Sequence, residues 1–389
     1  MRVLISGAGI AGPTLAYWLD SFGFDTTIVE EAPRLRTGGY VIDFWGMGFE
    51  VAGRMGLLDE IKHEGYAVEK IRVVDRTGKQ VAGFPAAAFA RATGGRYVSL
   101  QRGDLAALIF ARIENRVESV FDDSISVIAE GNNVVRVTFA SGAEREFDLV
   151  VGADGLHSRV RELVFGPQSR FEKFLGYKAA AFGINGYRPR DELVYVMYTE
   201  VDQQVARFAM REDRTMFLFT FADSDPDSGD VHAQKTLLQR HFGGSGWECP
   251  SILDTLDRAD DFYFDRVSQI RMDAWSRGRV ALVGDAAYCV SLLAGQGSAL
   301  GMAGAYILAG ELHRAAGDYG VAFARYQAIL QPLIRAKQEM ALRFAAAFAP
   351  KSKFSLWLRN RILNLLEVGW IADLTVGRDL ADKISLLDY

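Results

Sequence analysis

Val3-Leu4-Ile5-Ser6-Gly7-Ala8-Gly9-Ile10-Ala11-Gly12, read together with Glu30, decides the fold. The apolar run ends in glycine, as a buried parallel strand does. Residues Ala11 to Ser21 then read as a helix and Thr26 to Glu30 as a second strand, a βαβ opening. Gly7, Gly9 and Gly12 occupy the G-x-G-x-x-G positions, with an acid about twenty residues on. The first glycine makes a tight turn and the second lets backbone approach a pyrophosphate. The third packs the helix, beginning at Ala11, closely on the strand. Free N–H groups at the helix start, with the positive end of its dipole, suit phosphates. Glu30, at the end of its strand, is placed to accept a hydrogen bond from a ribose hydroxyl. Such a charge-assisted bond is worth about 1.5–3 kcal/mol.

That motif does not separate FAD from NAD; two later segments do. Gly152-Ala153-Asp154-Gly155 follows a second apolar strand and precedes a helix-like run with Arg159 and Arg161. Gly284-Asp285-Ala286-Ala287 follows a third strand, where an acid can hold the ribityl or ribose hydroxyls of a long nucleotide. Gly295-Gln296-Gly297 could let backbone approach a flat ring system. Between the first two segments, residues 134–151 read as a hairpin turning at Ser141-Gly142. From about 174 to 275, half-buried strands such as LVYVMYT and TMFLFTF suggest an antiparallel sheet. The expected architecture is α/β: a Rossmann-type FAD-binding domain with an inserted antiparallel-sheet substrate domain and a C-terminal helix. Its pieces are 1–173 and 276–340 for the FAD domain, 174–275 for the sheet domain, and a helical segment 341–389.

Composition excludes several classes. Lys and Arg number 44 against 49 Asp and Glu, and no basic block or stripe stands out, so no nucleic-acid partner is expected. The five histidines lack metal-ligand spacing, no catalytic Ser or metal-hydrolase motif is visible, and no metal is expected. Cys249 and Cys289 are too few for a disulfide scaffold and fit a reducing compartment. The opening residues enter a strand-like run without the pattern of a secretory leader, so a cytoplasmic protein is expected. Ala286 to Gly310 carries no charge, yet five glycines punctuate it, and a buried loop and helix are expected rather than a membrane span.

GAGIAG with Glu30, GADGLHSRVR and GDAAYCVSLLAGQG, in this order, resemble the class A FAD-dependent aromatic monooxygenases, the para-hydroxybenzoate hydroxylase family. Within it, RxGGxxxD at Arg36 to Asp43, LQRGDL, GDAAYC and GAYILAGEL look most similar to the tetracycline-inactivating flavin monooxygenases. The resemblance covers nearly the whole chain. It implies FAD contacts from Gly7, Gly9, Ala11, Gly12, Glu30, Arg36, Asp43, Arg102 and Asp285. Gly295 and Gly297 would face the flavin ring, and Asp154 would belong to the segment serving both FAD and nicotinamide. It implies a protein that hydroxylates an aromatic or polycyclic small molecule with oxygen, using NADPH or NADH as a transient reductant. The chemistry is flavin-mediated, so no catalytic side chain is named. A flavin-dependent reductase or dehydrogenase, and a non-catalytic FAD- or ligand-binding protein, are the alternatives. A monomer or homodimer is expected. Where most members have His, a proline-bearing loop and Asn, this chain has Tyr288, Ser291-Leu292 and Ala299.

Aromatic residues alternate along the proposed sheet. Most belong to a plain core face, and Phe182, Phe208, Phe217 and Phe219 are the candidates for an apolar substrate pocket. From Phe354 to Trp370 the chain is amphipathic, with Phe354, Leu358, Ile362, Leu365 and Leu366 against Arg359, Asn360, Asn364 and Glu367. It is expected to pack across the two domains.

Overall fold

Val3, Leu4 and Ile5 are each 0% exposed. Successive strand residues point to opposite faces, so consecutive full burial means that the strand Arg2–Ser6 is covered on both sides. A computed structural model describes residues 1–36, 39–226, 229–259, 261–365 and 386–389. In it, this strand lies inside a six-stranded sheet. The order is Ser276–Arg277, Val280–Leu282, Leu149–Gly152, Arg2–Ser6, Asp25–Glu30, Glu118–Phe121, all parallel except the outermost Ser276–Arg277. Ile5 registers with Val151, and Val151 with Ala281. The glycine segments after these three strands therefore emerge side by side at one edge, where ligands of open α/β sheets bind.

The helix Ala11–Ser21 returns the chain beside the sheet, and the uncharged stretch becomes the helix Gly297–Arg314 packed against it. Its buried residues run from Ala299 to Leu312, which accounts for the hydrophobic stretch without a bilayer. Among the described residues no helix is long and apolar enough to cross a membrane. The expected hairpin forms from Val135–Phe139 and Glu144–Phe147, with Gly142 at φ +86° in the turn.

The second sheet has seven strands, ordered Tyr263–Ile270, Glu172–Asn185, Arg214–Ala222, Gln203–Ala209, Val194–Glu200, Lys70–Val74, Gln80–Pro85. Two of them come from residues 70–85, and Val194–Glu200 pairs with Lys70–Val74 in parallel, so the sheet is wider and less uniformly antiparallel than residues 174–275 suggested. One face packs beneath the helices Val231–Phe242 and Cys249–Leu253. The other packs Phe208 and Met216 against Val41 and Tyr66, and Tyr177, Ala179 and Val267 against Leu292 and Leu293.

The helix Lys353–Leu365 lies along the edge strand Gln80–Pro85. Its orientation inverts the expected one. Asn364 accepts from the Gly83 N–H at 3.2 Å and donates to the Val81 carbonyl at 3.2 Å, satisfying an edge that would otherwise be open. Arg359 donates to Thr199 Oγ1, while Phe354, Leu358, Ile362 and Leu365 are exposed. Backbone groups of the sheet edge, together with Leu363 against Phe84 and Ile71, select the docked stripe. Leu366, Glu367 and Trp370 lie outside the described residues. The chain end sits on the nucleotide-binding side: Tyr389 donates to Glu311 at 2.9 Å, and Arg54 to the Leu387 carbonyl at 2.7 Å.

Candidate cofactor and substrate site

The three glycines of the first turn prove distinct in kind. Gly7 has φ +108°, and a Cβ there would stand 2.6 Å from the Ala153 carbonyl oxygen. A Cβ on Gly12 would fall 1.9 Å from the Gly7 carbonyl oxygen, so this glycine lets the helix sit on its own turn. Gly9 meets only the Arg102 guanidinium, at 3.5 Å. Its open face is where backbone can approach a ligand. The following helix has no side-chain cap and no acid in its first turn, which leaves its N–H groups available for an anion. Glu30 accepts from the Ala8 N–H at 2.7 Å and the Ala32 N–H at 3.0 Å, with Arg36 at 3.7 Å. A carboxylate has capacity for further donors, so these bonds aim Glu30 without exhausting it.

Ala11 turns out to be a packing residue. The Cβ positions of Gly284 and Gly301 lie 3.1 and 3.5 Å from its methyl, so any larger side chain would part the first and third segments. Gly284, at φ +68°, starts the short helix Asp285–Tyr288. The Asp285 carboxylate lies 3.5 Å from the Cβ position of Gly297, so both line one surface. Withdrawal from water raises the Asp285 carboxyl, and the Arg102 charge opposes that rise. Arg102 thus stands between the first and third segments.

The middle segment behaves differently. The Asp154 carboxylate accepts from Ser158 Oγ at 2.5 Å and the Val160 N–H at 3.0 Å, capping the helix Arg159–Phe165. Burial raises its carboxyl, against those hydrogen bonds. Its backbone walls the Gly7 turn, and its charge is used within its own loop. Arg161 is only 1% exposed and donates to Ala286 O at 2.9 Å, Leu156 O at 2.7 Å and Gln168 Oε1 at 3.0 Å. A buried arginine thereby fastens the middle segment to the third. His157 contacts Asp265 of the second sheet at 3.1 Å, and that contact raises its pKa.

In the loop before the long helix, Ser291 holds φ +100°, a conformation costly for a residue with a Cβ. Leu292 and Leu293 lean on Tyr177, Ala179 and Val267 of the second sheet. Gly295, at φ +63°, would place a Cβ in open space, and Gln296, 2% exposed, has an Oε1 with no hydrogen-bond partner among the described residues. A buried orphaned acceptor beside an open glycine fits a polar ring edge such as that of a flavin. Ala299 does not face that space alone. A Cβ on Gly48 would stand 2.4 Å from its Cα, so the helix Met47–Arg54 is pressed against it.

Asp43 lies on the strand Val41–Trp45, paired with Tyr97–Gln101. Its Oδ1 accepts from Tyr97 at 2.7 Å and Ser99 at 2.6 Å. Asp43 keeps exposed surface, and the surrounding protein raises its carboxyl against these two hydrogen bonds.

Three of the four aromatic candidates are corrected by strand parity. Phe182 registers with Phe217, and both, with Phe219, pack beneath the helices on the far face. Phe208 registers with Met216, the opposite parity, and stacks on Tyr195 at 4.4 Å on the face that packs against Val41 and Tyr66. Tyr195, Met197, Leu218 and Tyr263 share that parity and are partly exposed. Tyr263 lies 5.5 Å from Tyr40, whose phenol burial pushes up to about 12. Sequence reasoning weighed only aromatics. The usable signal was Met216 and Leu218, the interleaved residues of TMFLFTF. A separate cavity of about 610 Å³, lined by Ser276, Tyr319 and Gln331 among others, shares no residue with the glycine segments. No cluster of metal-ligating side chains occurs among the described residues.

Comparison with known proteins agrees with this geometry. Residues 1–320 match the FAD binding domain family. The chain is 42% identical over 342 residues to an uncharacterized protein of Mycobacterium tuberculosis, covering 86% of this chain and 91% of that one. It is 34% identical over 381 residues to a flavin-dependent monooxygenase of Legionella longbeachae, covering 94% and 95%. The crystal structure of the tetracycline destructase Tet(51) superposes with a TM-score of 0.84 at 32% identity, covering 100% and 99%. With its glycine segments gathered at one sheet edge, this chain belongs to the FAD-dependent monooxygenases.

Proposed function

We propose that this monooxygenase takes electrons from NADPH or NADH and hydroxylates a neutral aromatic or polycyclic small molecule in the reducing cytoplasm. The substrate reading is supported by a partly exposed apolar surface, Tyr195, Met197, Leu218 and Tyr263, on one face of the second sheet, with Tyr263 5.5 Å from Tyr40, whose phenol feels the Arg102 and Asp285 charges. Bound FAD supplies the redox and oxygen chemistry.

The chain supplies the rest. The open helix start at Gly9 and the Arg102 guanidinium hold the pyrophosphate, and Gly7 and Gly12 shape the turn that presents them. Glu30, steadied by Arg36, accepts from a ribose hydroxyl, and Asp285 from the ribityl chain. Gly295 and Gly297 admit the flat ring, with Gln296 Oε1 as acceptor for its edge. Asp154 acts indirectly, by holding the middle loop against Gly7. Leu292 and Leu293 keep water from the seam between loop and sheet. The substrate domain comprises residues 174–275 together with the two strands at 70–85. Among the described residues one full glycine fingerprint with its acid is present, so NAD(P)H binds beside the FAD without a domain of its own.

The test is an absorption spectrum followed by oxygen uptake. A yellow protein that releases FAD, and oxygen uptake with NAD(P)H that rises with a polycyclic phenol, are expected. Flavin reduction without oxygen consumption would favour a reductase instead.

A further inference from the structure

The outer side of the helix Lys353–Leu365 is apolar and uncovered. Phe354, Trp357, Leu358, Ile362 and Leu365 are exposed, Phe354 at 70% and Trp357 at 53%. Their spacing of three and four residues puts them on one stripe, turned away from the side on which Arg359 and Leu363 dock to the sheet. The other exposed large hydrophobics among the described residues, such as Val127 and Val321, stand singly along the chain. A gathered apolar stripe, unlike scattered ones, marks a contact surface.

The charge of this segment is equally uneven. Lys351 to Leu365 holds four cations and no acid, in a chain whose acids outnumber its bases by 49 to 44. Arg359 turns inward to Thr199 Oγ1. Lys351, Lys353 and Arg361 are exposed, and none of them is in an ion pair among the described residues. The Arg361 guanidinium lies 5.5 Å over the Trp357 ring, so a cation emerges from within the apolar stripe.

A second copy of the chain fits this surface poorly. A two-fold contact through the stripe sets Arg361 toward its own symmetry mate, like charge against like, in a seam without water. An anionic bilayer surface suits every feature. The Phe, Trp, Leu and Ile side chains enter the boundary between headgroups and acyl chains, while the three cations meet lipid phosphates, their aliphatic stems lying along the apolar layer. We propose that this helix docks the enzyme on an anionic membrane leaflet, as a peripheral anchor that does not span the bilayer. Docking there brings the second sheet's partly exposed apolar surface toward the lipid, because Leu363 of the same helix packs in the cluster that Tyr195 and Met197 join. The proposal goes beyond the redox reading and stands without it.

The experiment sediments the FAD-loaded protein with vesicles of phosphatidylcholine alone, and of phosphatidylcholine mixed equally with phosphatidylglycerol. Binding to the mixed vesicles is expected, with little to the neutral ones and release by salt. Lys353→Gln and Arg361→Gln should each weaken it about fivefold. Phe354→Ser combined with Trp357→Ser should abolish it. These side chains are exposed, so the variants should keep their FAD, checked by the ratio of visible to ultraviolet absorbance. Cys249 and Cys289 are buried, so a Trp357→Cys thiol should be the one that a polar maleimide labels in solution, and mixed vesicles should protect it. Failure of the parent protein to bind mixed vesicles, binding indifferent to lipid charge, or binding unchanged by these substitutions would overturn the proposal. So would slow labelling of the Trp357→Cys protein without vesicles, which would show the stripe already covered, by this chain or by a second copy.

Discussion

Ala299→Asn installs the residue that most of the family carries, and the structure sets its cost. At Gly48 the helix Met47–Arg54 comes so close that an added Cβ would lie 2.4 Å from the Ala299 Cα and 2.7 Å from its Cβ. Ordinary carbon contacts fall near 3.5–4.0 Å, so roughly 1 Å of clearance is missing even for one methyl. Asparagine adds three heavy atoms at a site 6% exposed. Overpacking costs about 1–3 kcal/mol, and a buried amide without partners about 1–3 kcal/mol more. Their sum, about 2–6 kcal/mol, is a large part of a typical folding stability of 5–15 kcal/mol. Urea unfolding of the FAD-free variant, with the m-value checked for constancy, measures the loss directly. Gly48→Ala should be destabilised through the same contact. If Ala299→Asn stays within about 0.5 kcal/mol of the parent and keeps its FAD, the argument for an obligatory close contact fails.

Gly9→Ala and Gly12→Ala should separate binding from folding. The first leaves FAD-free stability unchanged and lowers FAD content, whereas the second, with a Cβ 1.9 Å from the Gly7 oxygen, loses the fold in a thermal melt. Asp285→Ala should keep its secondary structure by circular dichroism and release FAD more readily on dilution. Arg161→Met removes donors to Ala286, Leu156 and Gln168, and about 2–4 kcal/mol of stability should go with the stranded acceptors, read by urea midpoint. For Asp223, 4% exposed in its side chain, burial raises the carboxyl but His241 and Lys178 outweigh it, leaving its pKa below the usual range. Its ionised form is therefore favoured on folding, so its contribution is present above about pH 4 and is lost as pH falls through the depressed value. Asp223→Asn should be less stable at neutral pH and show a flatter acid limb in stability measured against pH. NADPH titration in the absence of oxygen should show weak binding, and a tight stoichiometric site would contradict the shared cleft.

The chain itself determined the nucleotide half of this protein. Glycines that need positive φ, or that cannot accept a Cβ, are legible because a local backbone geometry leaves no other residue type. Gly7 and Gly284, each at positive φ, and Gly12, against the Gly7 oxygen of its own turn, carry that signal locally. The same holds for the uncharged helix Gly297–Arg314, whose glycines argued against a bilayer. Tertiary structure decided everything that depended on which face a residue turns. Parity sent Phe182, Phe217 and Phe219 to the helix-covered side and left Met197 and Leu218 on the opposite face. Local pattern cannot reveal that strands from residues 70–85 complete the second sheet, and their edge then reversed the C-terminal helix. Asp154 kept its charge at home, Arg161 became the clasp between two loops, and Ala299 was read as a missing amide until Gly48 appeared against it. Each of these turns on partners far away in the chain, joined by the packing of surfaces that each segment leaves unburied by itself.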